Sequence, residues 1–468
     1  MESKNQLSMA KVPRVLLFPY PAPGHTQPFL RLATLLADAG LEIVFLSTEY
    51  DHRRIVNIEA LTSRFPTLQF ETISDGVPLD RPRDLHDGKF YNTFRDEIKP
   101  SFREVLRNLN ADSSGRISFM IADVVTCGPI EVAEEFGMPF FCFCPCSARY
   151  FLLHFLIPHL IQSAQIPYSD DDDLKEITGL DSFEGGPLRR KDLPGYWKDF
   201  DSMTFIDQTT AARRSSGLIL NTFDELESPF LTKLSTIFNK IYTIGPLHAL
   251  SNSKVGSIGV ILKSDESCIP WLDSQPLKSV IFASFGSTGK MKAEELTEFW
   301  YGLVNSGKPF ICVLRTNVVR GEANDELVKK LVEEGGEKVK GIVVEWAPQE
   351  KVLNHPSVGG FLTHCGWNSV LESVTAGVPM ICWPVIGDQF SNSIWIEKGW
   401  KVGLEIDKKW DRKTVEDLVR ALLDDPKGEM FKSIQKLSNL ANQSVSEEGL
   451  SFKNIEILVQ DIKKIATE

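Results

Sequence analysis

The first half of the chain alternates short apolar runs with amphipathic helical patterns. "RVLLF" (14–18) predicts a buried strand, "FLRLATLLADAG" (29–40) carries its apolar residues at helical spacing, and "EIVFLST" (42–48) predicts a second strand. A strand, a helix and a strand in this order predict a parallel sheet with crossover helices. The same patterns predict further strands in this half at 118–123, 138–144, 216–223 and 240–247.

The second half repeats these patterns. Strands are predicted at 279–286, 309–315, 341–349, 359–366 and 380–385, and the periodic run from about 411 to 465 is helical. We therefore predict an α/β fold of two Rossmann-like, doubly wound parallel-sheet domains that face each other across a cleft.

A change in composition marks the boundary between the halves. Residues 248–264 are rich in Ser, Asn, Lys and Gly, which is typical of an interdomain linker. The predicted domains are then 1–247 and 265–450, followed by a C-terminal helix, 451–468, that we expect to pack back on the N-terminal domain.

Composition narrows the function classes. A chain of 468 residues exceeds one ordinary core, and a net charge of −12 argues against a nucleic-acid-binding surface. The eight cysteines lack the spacing of a disulfide framework, which suits free thiols in a reducing compartment. Neither a signal peptide nor an apolar run long enough to span a membrane is evident, so we expect a cytoplasmic protein. We also expect a monomer and no metal.

The stretch "GFLTHCGWNSVLES" (360–373) places polar side chains between a predicted strand and a helix. Ser369 and Glu372 have the spacing of a capping box, in which both side chains bond first-turn backbone N–H groups. A helix N-terminus also attracts phosphate, and His364, Asn368 and Ser369 would add donors there. The adjacent His and Cys lack a second ligand pair, so a metal site or a Cys–His nucleophile fits poorly.

Polar residues also follow two neighbouring strands. Trp346 ends one strand, where an indole is able to stack on a planar base, and Asp388 and Gln389 follow another, where they suit sugar hydroxyls. Each alone fits a core aromatic or a solvated loop equally well. Together they predict a ligand site, because ligands of open α/β sheets bind beyond the carboxyl ends of the strands.

Residues 346–389, "WAPQEKVLNHPSVGGFLTHCGWNSVLESVTAGVPMICWPVIGDQ", closely resemble the signature of the plant family 1 UDP-glycosyltransferases. "WLDSQPLKSVIFASFGS" (271–287) is similar to a second hallmark of that family. The resemblance implies a GT-B fold, with the UDP-sugar held mostly by the C-terminal domain and the acceptor mostly by the N-terminal domain. It implies no cofactor, since UDP-glucose is a co-substrate.

Carried onto this chain, the resemblance implies a set of donor contacts. Trp346 would stack on uracil, and Glu372 would accept the ribose hydroxyls. A terminal Gln389 is usual for glucose donors. The remaining contacts implied are those to base and ribose by Ala347 and Gln349, those to the diphosphate by Ser287, His364, Asn368 and Ser369, and those to the sugar by Trp367, Asp388 and Gln389.

His25 and Asp123 form a candidate catalytic pair. His25 lies between the first strand and its helix, where the helix dipole favours a neutral imidazole, and Asp123 ends the strand "FMIAD". The residues alone leave a structural histidine and a helix cap open. The resemblance, which has this His and Asp at matching positions, implies a general base with an orienting carboxylate and a displacement that inverts the sugar configuration.

The acceptor is predicted only by class. The aromatic segment 140–160, with 73–85, indicates an apolar pocket, for which our candidates are Phe143, Ser147, Phe151 and Trp383. "ISDGVP" and "LRRKDLP" (188–194) resemble the branch of the family that glucosylates iridoids and other terpenoids. We expect a small lipophilic plant metabolite, terpenoid or phenolic, with a hydroxyl or carboxyl group. Cysteines 142, 144 and 146 share one strand face, as buried thiols rather than metal ligands.

Two features depart from the family pattern, and two motifs that would indicate other function classes fail. Cys312 stands where many relatives carry Trp, and a charged segment, 321–341, replaces the usual P-x-G-F. "FGSTGK" (285–290) lacks the Walker spacing, and no strand is followed by a dinucleotide fingerprint. Another UDP-sugar donor, or a non-catalytic sugar-nucleotide-binding protein, remain the alternatives.

Overall fold

A computed structural model describes residues 12–81, 83, 88–112, 115–166, 175–178, 188–193, 210–256, 265–287, 289–315, 318–319, 325–406 and 410–467. Within these residues the strands form two fully parallel sheets. The first has the order β3-β2-β1-β4-β5-β6-β7 and consists of β1 (Arg14–Phe18), β2 (Glu42–Thr48), β3 (Leu68–Ile73), β4 (Phe119–Asp123), β5 (Phe140–Cys144), β6 (Leu218–Leu220) and β7 (Ile241–Thr243).

The second sheet has the order β10-β9-β8-β11-β12-β13. It consists of β8 (Val280–Ser284), β9 (Phe310–Val313), β10 (Gly341–Val344), β11 (Val358–Thr363), β12 (Met380–Cys382) and β13 (Gly403–Glu405). Two sheets of this kind confirm the predicted α/β class with its two parallel-sheet domains.

Helices cover both faces of each sheet. Those of the first half are α1 (Pro23–Asp38), α2 (Glu49–His52), α3 (Ile58–Arg64), α4 (Gly88–Ala111), α5 (Cys127–Glu135), α6 (Ala148–Gln162), α7 (Asp224–Leu234) and α8 (Leu247–Val255). Those of the second half are α9 (Cys268–Asp273), α10 (Ala293–Asn305), α11 (Asp325–Gly335), α12 (Gln349–Leu353), α13 (Trp367–Ala376), α14 (Gln389–Ile394), α15 (Arg412–Leu423), α16 (Glu429–Ser444) and α17 (Leu450–Ile465).

Strand alternation divides the core of the first sheet into two layers. Leu16 and Phe18 point to the layer covered by α4, α5 and α6, whereas Val15 and Leu17 point to the layer covered by α1, α8 and α17. All four side chains are fully buried. Burial on both faces explains why the strands are continuous apolar runs rather than alternating ones.

The last helix joins the layer beneath the first sheet. Ile455, Leu458 and Ile462 of α17 are buried there, and the Tyr242 hydroxyl donates to Asp461 Oδ2 at 2.7 Å. The chain therefore returns from the second sheet to the first before it ends.

The predicted linker, 248–264, begins instead as a helix. α8 buries Leu247, Leu250 and Val255 against the layer that holds α1, and residues 257–264 lie outside the described part. The Ser, Asn and Lys residues that suggested a linker occupy mainly the other side of α8. Residues 248–255 of the predicted linker are therefore helical.

Strand order places two neighbouring loops at the carboxyl edge of each sheet. β1 pairs with β2 on one side and β4 on the other, and β8 pairs with β9 and β11. These are topological switch points, where the loops leave in opposite directions and open a crevice at the carboxyl ends of the strands.

Candidate active site

His25 and Asp123 meet at the switch point of the first sheet. β1 and β4 are paired, with Phe18 opposite Ala122, so the loop after β1 starts beside Asp123. Pro23 at the first position of α1 favours a helix start there and sets His25 in the first turn. His25 Nδ1 lies 2.7 Å from Asp123 Oδ2.

The hydrogen bonds of Asp123 determine the tautomer of His25. The fully buried carboxylate accepts the backbone N–H of Tyr20 on Oδ2 and that of Val125 on Oδ1, both at 3.2 Å. An ionised carboxylate only accepts, so His25 Nδ1 must donate to it. The lone pair of neutral His25 is then on Nε2, and the side chain is 25% exposed.

The environment raises the pKa of His25. Burial lowers it, but the adjacent Asp123 carboxylate, with Asp388 and Asp51 farther away, outweighs burial and raises the pKa above its ordinary value. The neighbouring carboxylates therefore oppose the effect on the pKa that we expected from the helix dipole. The imidazole is neutral only at a pH above this raised pKa.

The loops that carry Ser287 and His364 lie side by side at the switch point of the second sheet. They follow β8 and β11, which are paired with Ser284 opposite Thr363. Gly286 adopts a φ of +68°, and a Cβ there would lie 2.4 Å from His364 Nε2, so the loop after β8 packs directly on the imidazole. Burial and the nearby Arg315 lower the pKa of His364 to about 4, which keeps it neutral.

Arg315 organises the loop after β8. Its guanidinium donates to the carbonyl oxygens of Ser287 and Gly289, each at 2.6 Å. Burial, with a smaller effect of Arg54, lowers its pKa to about 10, so it remains cationic near neutral pH. A positive charge therefore lies beside the loop of Ser287, which we expected to contact the diphosphate.

Gln349 brings together Ser369 and Glu372. Its Nε2 donates to Ser369 Oγ at 2.8 Å and to Glu372 Oε2 at 2.7 Å.

The predicted capping box of Ser369 and Glu372 is wrong, because α13 begins after Gly366 and has no side-chain cap. Burial, and then the charge of Glu350, raise the pKa of Glu372 to about 8.

Asn368 and Trp367 connect the two domains. Asn368 Nδ2 donates to the carbonyl of Gly24 at 2.9 Å, beside His25. The buried Trp367 indole donates to the carbonyl of Asn221 at 2.7 Å, so this side chain contributes to the domain interface. Its backbone N–H lowers the pKa of Asp388, against the larger effect of burial.

The remaining predicted donor residues lie around the same crevice. Burial raises the pKa of Asp388 to about 6, and Gln389 Oε1 accepts the backbone N–H groups of Val385 and Ile386 at 2.8 and 2.9 Å. Trp346 is half-buried and accepts the Asp265 N–H on its carbonyl at 2.7 Å, and Ala347 is buried beside it.

The candidates for the acceptor pocket are placed elsewhere. Phe143 is fully buried against Phe29, with ring centroids 4.8 Å apart, and Phe151 is buried in the opposite layer. Trp383 packs on Phe285 in the second domain. These three aromatics are core residues, and our prediction for them was wrong. Phe143 lies in a sheet that is covered on both faces, and Phe151 and Trp383 pack into the core layers beside the two sheets.

Ser147, the fourth acceptor candidate, caps a helix at the domain interface. Its Oγ accepts the N–H of Tyr150 at 3.3 Å and donates to Asn392 Oδ1 at 2.8 Å. Cys142 and Cys144 share one buried face of β5, as predicted, and Cys146 is half-buried just beyond it. Within the described residues, His, Cys, Asp and Glu side chains form no cluster suited to a metal ion.

The model of the family described as "UDP-glucoronosyl and UDP-glucosyl transferase" matches residues 205–445 of this chain. The chain belongs to this family. It is 56% identical to a Mogroside I-A1 synthase of Siraitia grosvenorii, over 95% of this chain and 90% of that one. It is 39% identical to a 7-deoxyloganetic acid glucosyltransferase of Catharanthus roseus, over 97% and 98% of the two chains.

The fold of this UDP-glycosyltransferase is also shared with solved relatives. Os79 of O. sativa in complex with UDP superposes with a TM-score of 0.82 at 27% identity, over 96% of this chain and 100% of that one. The predictions of a GT-B fold, of a plant family 1 UDP-glycosyltransferase and of a UDP-sugar as co-substrate are confirmed. In the described part of this transferase, no helix is both long and apolar enough to cross a membrane.

Several polar residues of this transferase site escaped sequence reasoning. Tyr20 packs edge-on against His25, with the ring centroids 5.4 Å apart. Burial and the charge of Asp123 raise the pKa of Tyr20, so the phenol stays protonated. Arg315 reaches the site from just beyond the carboxyl end of β9, and Asn392 reaches it from α14. The tyrosine two residues after β1 and the arginine after β9 share the strand-end position that identified His25.

Proposed function

We propose that this chain transfers glucose from UDP-glucose to a hydroxyl or carboxyl group of a small lipophilic plant metabolite, with inversion, to give a β-glucoside. The observation that carries the proposal is the 2.7 Å contact of His25 Nδ1 with the buried Asp123, at a crevice also lined by Asn368 and Asp388. That arrangement leaves Nε2 as the basic atom.

The acceptor hydroxyl gives its proton to His25 Nε2 as its oxygen attacks the anomeric carbon. The Asp123 carboxylate stabilises the imidazolium that forms, and general-base catalysis of this kind contributes roughly 10²–10⁴-fold. The bond from the anomeric carbon to the diphosphate oxygen breaks on the opposite side, so the configuration inverts and UDP leaves with both electrons. A carboxylate acceptor is already ionised and needs less of this assistance.

The diphosphate is proposed to bind at the N-terminus of α13. Its free N–H groups and partial positive charge stabilise a leaving dianion, and His364, Asn368 and Ser369 add donors. Ser287 joins from the loop that Arg315 holds. Arg315 adds a full positive charge, which favours departure of UDP.

The nucleoside is proposed to bind beside α12. Trp346 would stack on uracil, with Ala347 and Gln349 contacting base and ribose. The Glu372 carboxyl, now bonded to Gln349, would accept the ribose hydroxyls. Trp367, through its backbone, and Asp388 and Gln389, through their side chains, would contact the sugar.

The acceptor is proposed to be a terpenoid or a related phenolic. Support comes from the relatives, which are a mogroside synthase and a 7-deoxyloganetic acid glucosyltransferase. We propose that residues 1–247 hold this acceptor, that residues 265–450 hold the donor, and that the enzyme is a cytoplasmic monomer without a cofactor. The alternative donor is another UDP-sugar.

Separate incubations with UDP-glucose, UDP-galactose and a UDP-pentose test the donor and the reaction together. Each contains the purified enzyme and a panel of terpenoid and phenolic acceptors, analysed by mass spectrometry, with the anomeric configuration of the product read by NMR. We expect β-linked hexosides from UDP-glucose at the highest rate. The absence of transfer from every donor would leave only the sugar-nucleotide-binding alternative, and an α-linked product would contradict the inverting mechanism.

A further inference from the structure

Asn392 lies one helical turn after Asp388 and uses every hydrogen-bonding group of its side chain. Nδ2 donates to Asp388 Oδ2 and to the carbonyl of Cys365, both at 2.9 Å, and Oδ1 accepts from Ser147 Oγ at 2.8 Å. The residue is 2% exposed. A backbone carbonyl only accepts, so the amide has one orientation, with Nδ2 toward Asp388.

The Asp388 carboxyl lies between the two halves of the proposed reaction. Its charge acts on His25 across the crevice and raises the pKa of that imidazole. Asn392 Nδ2 holds Oδ2 of the carboxyl from one helical turn further along the chain. A carboxyl held in this way presents a defined oxygen to a ligand hydroxyl.

Ser147 reaches Asn392 from the other domain and is itself fixed. It caps α6, and Glu227 accepts the next two backbone N–H groups, those of Ala148 and Arg149, at 3.0 Å each. The Arg149 guanidinium then donates to the carbonyl of Ser391 at 2.8 Å. The first turn of α6 is therefore docked on α14 through two consecutive residues of that helix.

We propose that Asn392 is a positioning residue that, held by Ser147 across the domain interface, aims the Asp388 carboxyl at the donor sugar. The inference rests on the proposed function, in which Asp388 contacts the sugar. In that proposed function Asp388 contacts the sugar and is not among the contacts of UDP. Loss of Asn392 should therefore lower the affinity for UDP-glucose and leave the affinity for UDP unchanged. A residue with only a general structural role would affect both affinities.

Isothermal titration of the full-length enzyme with UDP and with UDP-glucose, without acceptor, tests this. For Asn392→Ala we expect the Kd of UDP-glucose to rise about tenfold or more, as for loss of a hydrogen bond to a charged group, and the Kd of UDP to change less than about twofold. An equal loss for both ligands, or no loss for either, would overturn the proposal.

Variants of Ser147 keep the test decisive if Asn392→Ala does not fold. Ser147→Ala should raise the Kd of UDP-glucose about threefold, since Asn392 keeps its other two bonds, and Ser147→Thr, which keeps the hydroxyl, should restore it. Asp411→Ala removes the side-chain cap of α15 and none of the bonds described for Asp388, Asn392 or Ser147, and should change neither Kd. If Ser147→Ala leaves UDP-glucose affinity unchanged, the proposal is wrong. A wild-type enzyme that binds neither ligand would instead contradict the proposed function.

Discussion

At the scale of single residues, the charge of His25 depends on its carboxylate neighbours. Burial lowers its pKa, and Asp123 at 2.7 Å, with Asp388 and Asp51, raises it above the ordinary value. A general base acts only when neutral, so kcat/KM for a hydroxyl acceptor should rise with pH through this raised pKa. The carboxylate that orients the base therefore also sets the pH at which it works.

Asp123→Asn tests both effects of the carboxylate. The amide removes the nearest negative charge, so the pKa of His25 should fall and the acid limb of the pH–kcat/KM profile should move to lower pH. The plateau should drop by roughly 10²–10⁴-fold, because an amide no longer enforces the tautomer or stabilises the imidazolium. A profile with an unmoved acid limb would show that Asp123 does not set the pKa of the catalytic group.

The contact of His25 with Asp123, the proposed catalytic pair, was predictable from sequence, whereas several surrounding residues were not. His25 and Asp123 follow adjacent strands at a switch point, and the family motif singles them out. Tyr20, Arg315 and Asn392 join through contacts to residues far away in the chain, which local patterns do not encode. Phe143 failed as a pocket residue because periodicity does not tell which of two buried faces meets the crevice.

At the scale of elements, the loop after β8 is shaped by one glycine. Gly286 has a φ of +68°, and a Cβ would lie 2.4 Å from His364 Nε2. The loop and the imidazole are thus in direct contact, with Arg315 holding the far side of the loop. Both partners belong to the proposed diphosphate site.

Gly286→Ala should lower UDP affinity about tenfold, because the added methyl group displaces His364 or the loop by more than a hydrogen bond tolerates. Gly307→Ala is the matched control, since Gly307 has a φ of +69° and nothing within 4 Å of its Cβ position. Both variants should lose roughly 1–2 kcal/mol of unfolding free energy to left-handed backbone strain. Calorimetric titration with UDP would contradict the account if both variants lost affinity equally.

Most strands were predictable, and the failures have physical causes. The fully buried strands β1, β2, β4 and β5 are continuous apolar runs and appear where their patterns predict them. β3, with the sequence "LQFETI", carries exposed polar residues at the sheet edge and was missed. α8 was taken for a linker because its polar composition outweighed the three apolar residues that it buries.

At the scale of the whole molecule, the two domains meet through polar contacts around the crevice. Arg31 of α1 forms a salt bridge with Glu350 of α12, and it also donates to Ser251 of α8 at 2.9 Å. Glu350 in turn accepts from Asn252 at 3.0 Å. Sequence patterns did not predict these contacts, because each contact joins segments that lie far apart in the chain.

Removing one partner of this interdomain pair should be costly. Arg31→Met leaves Glu350 charged and half-buried without its ion pair, and should lower the unfolding free energy by roughly 1–3 kcal/mol. Adding Glu350→Gln to this variant should recover part of the loss, because it removes the unpaired charge. Urea denaturation measures both.

An exposed ion pair that also involves α12 is the control. Lys351 and Glu266 are each about 60% exposed, so Lys351→Met should change the unfolding free energy by less than about 1 kcal/mol. Equal losses for Arg31→Met and Lys351→Met would show that the buried interdomain pair has no special weight in holding the domains together.

The central claim is that His25 is the base of a UDP-glucose-dependent transfer. The most direct test compares turnover and UDP affinity of His25→Ala with those of the wild-type enzyme, using a hydroxyl acceptor found in the donor panel. We expect kcat to fall by roughly 10²–10⁴-fold while the Kd of UDP is unchanged, because the proposed UDP site lies on the other domain. Turnover near the wild-type value would contradict the claim.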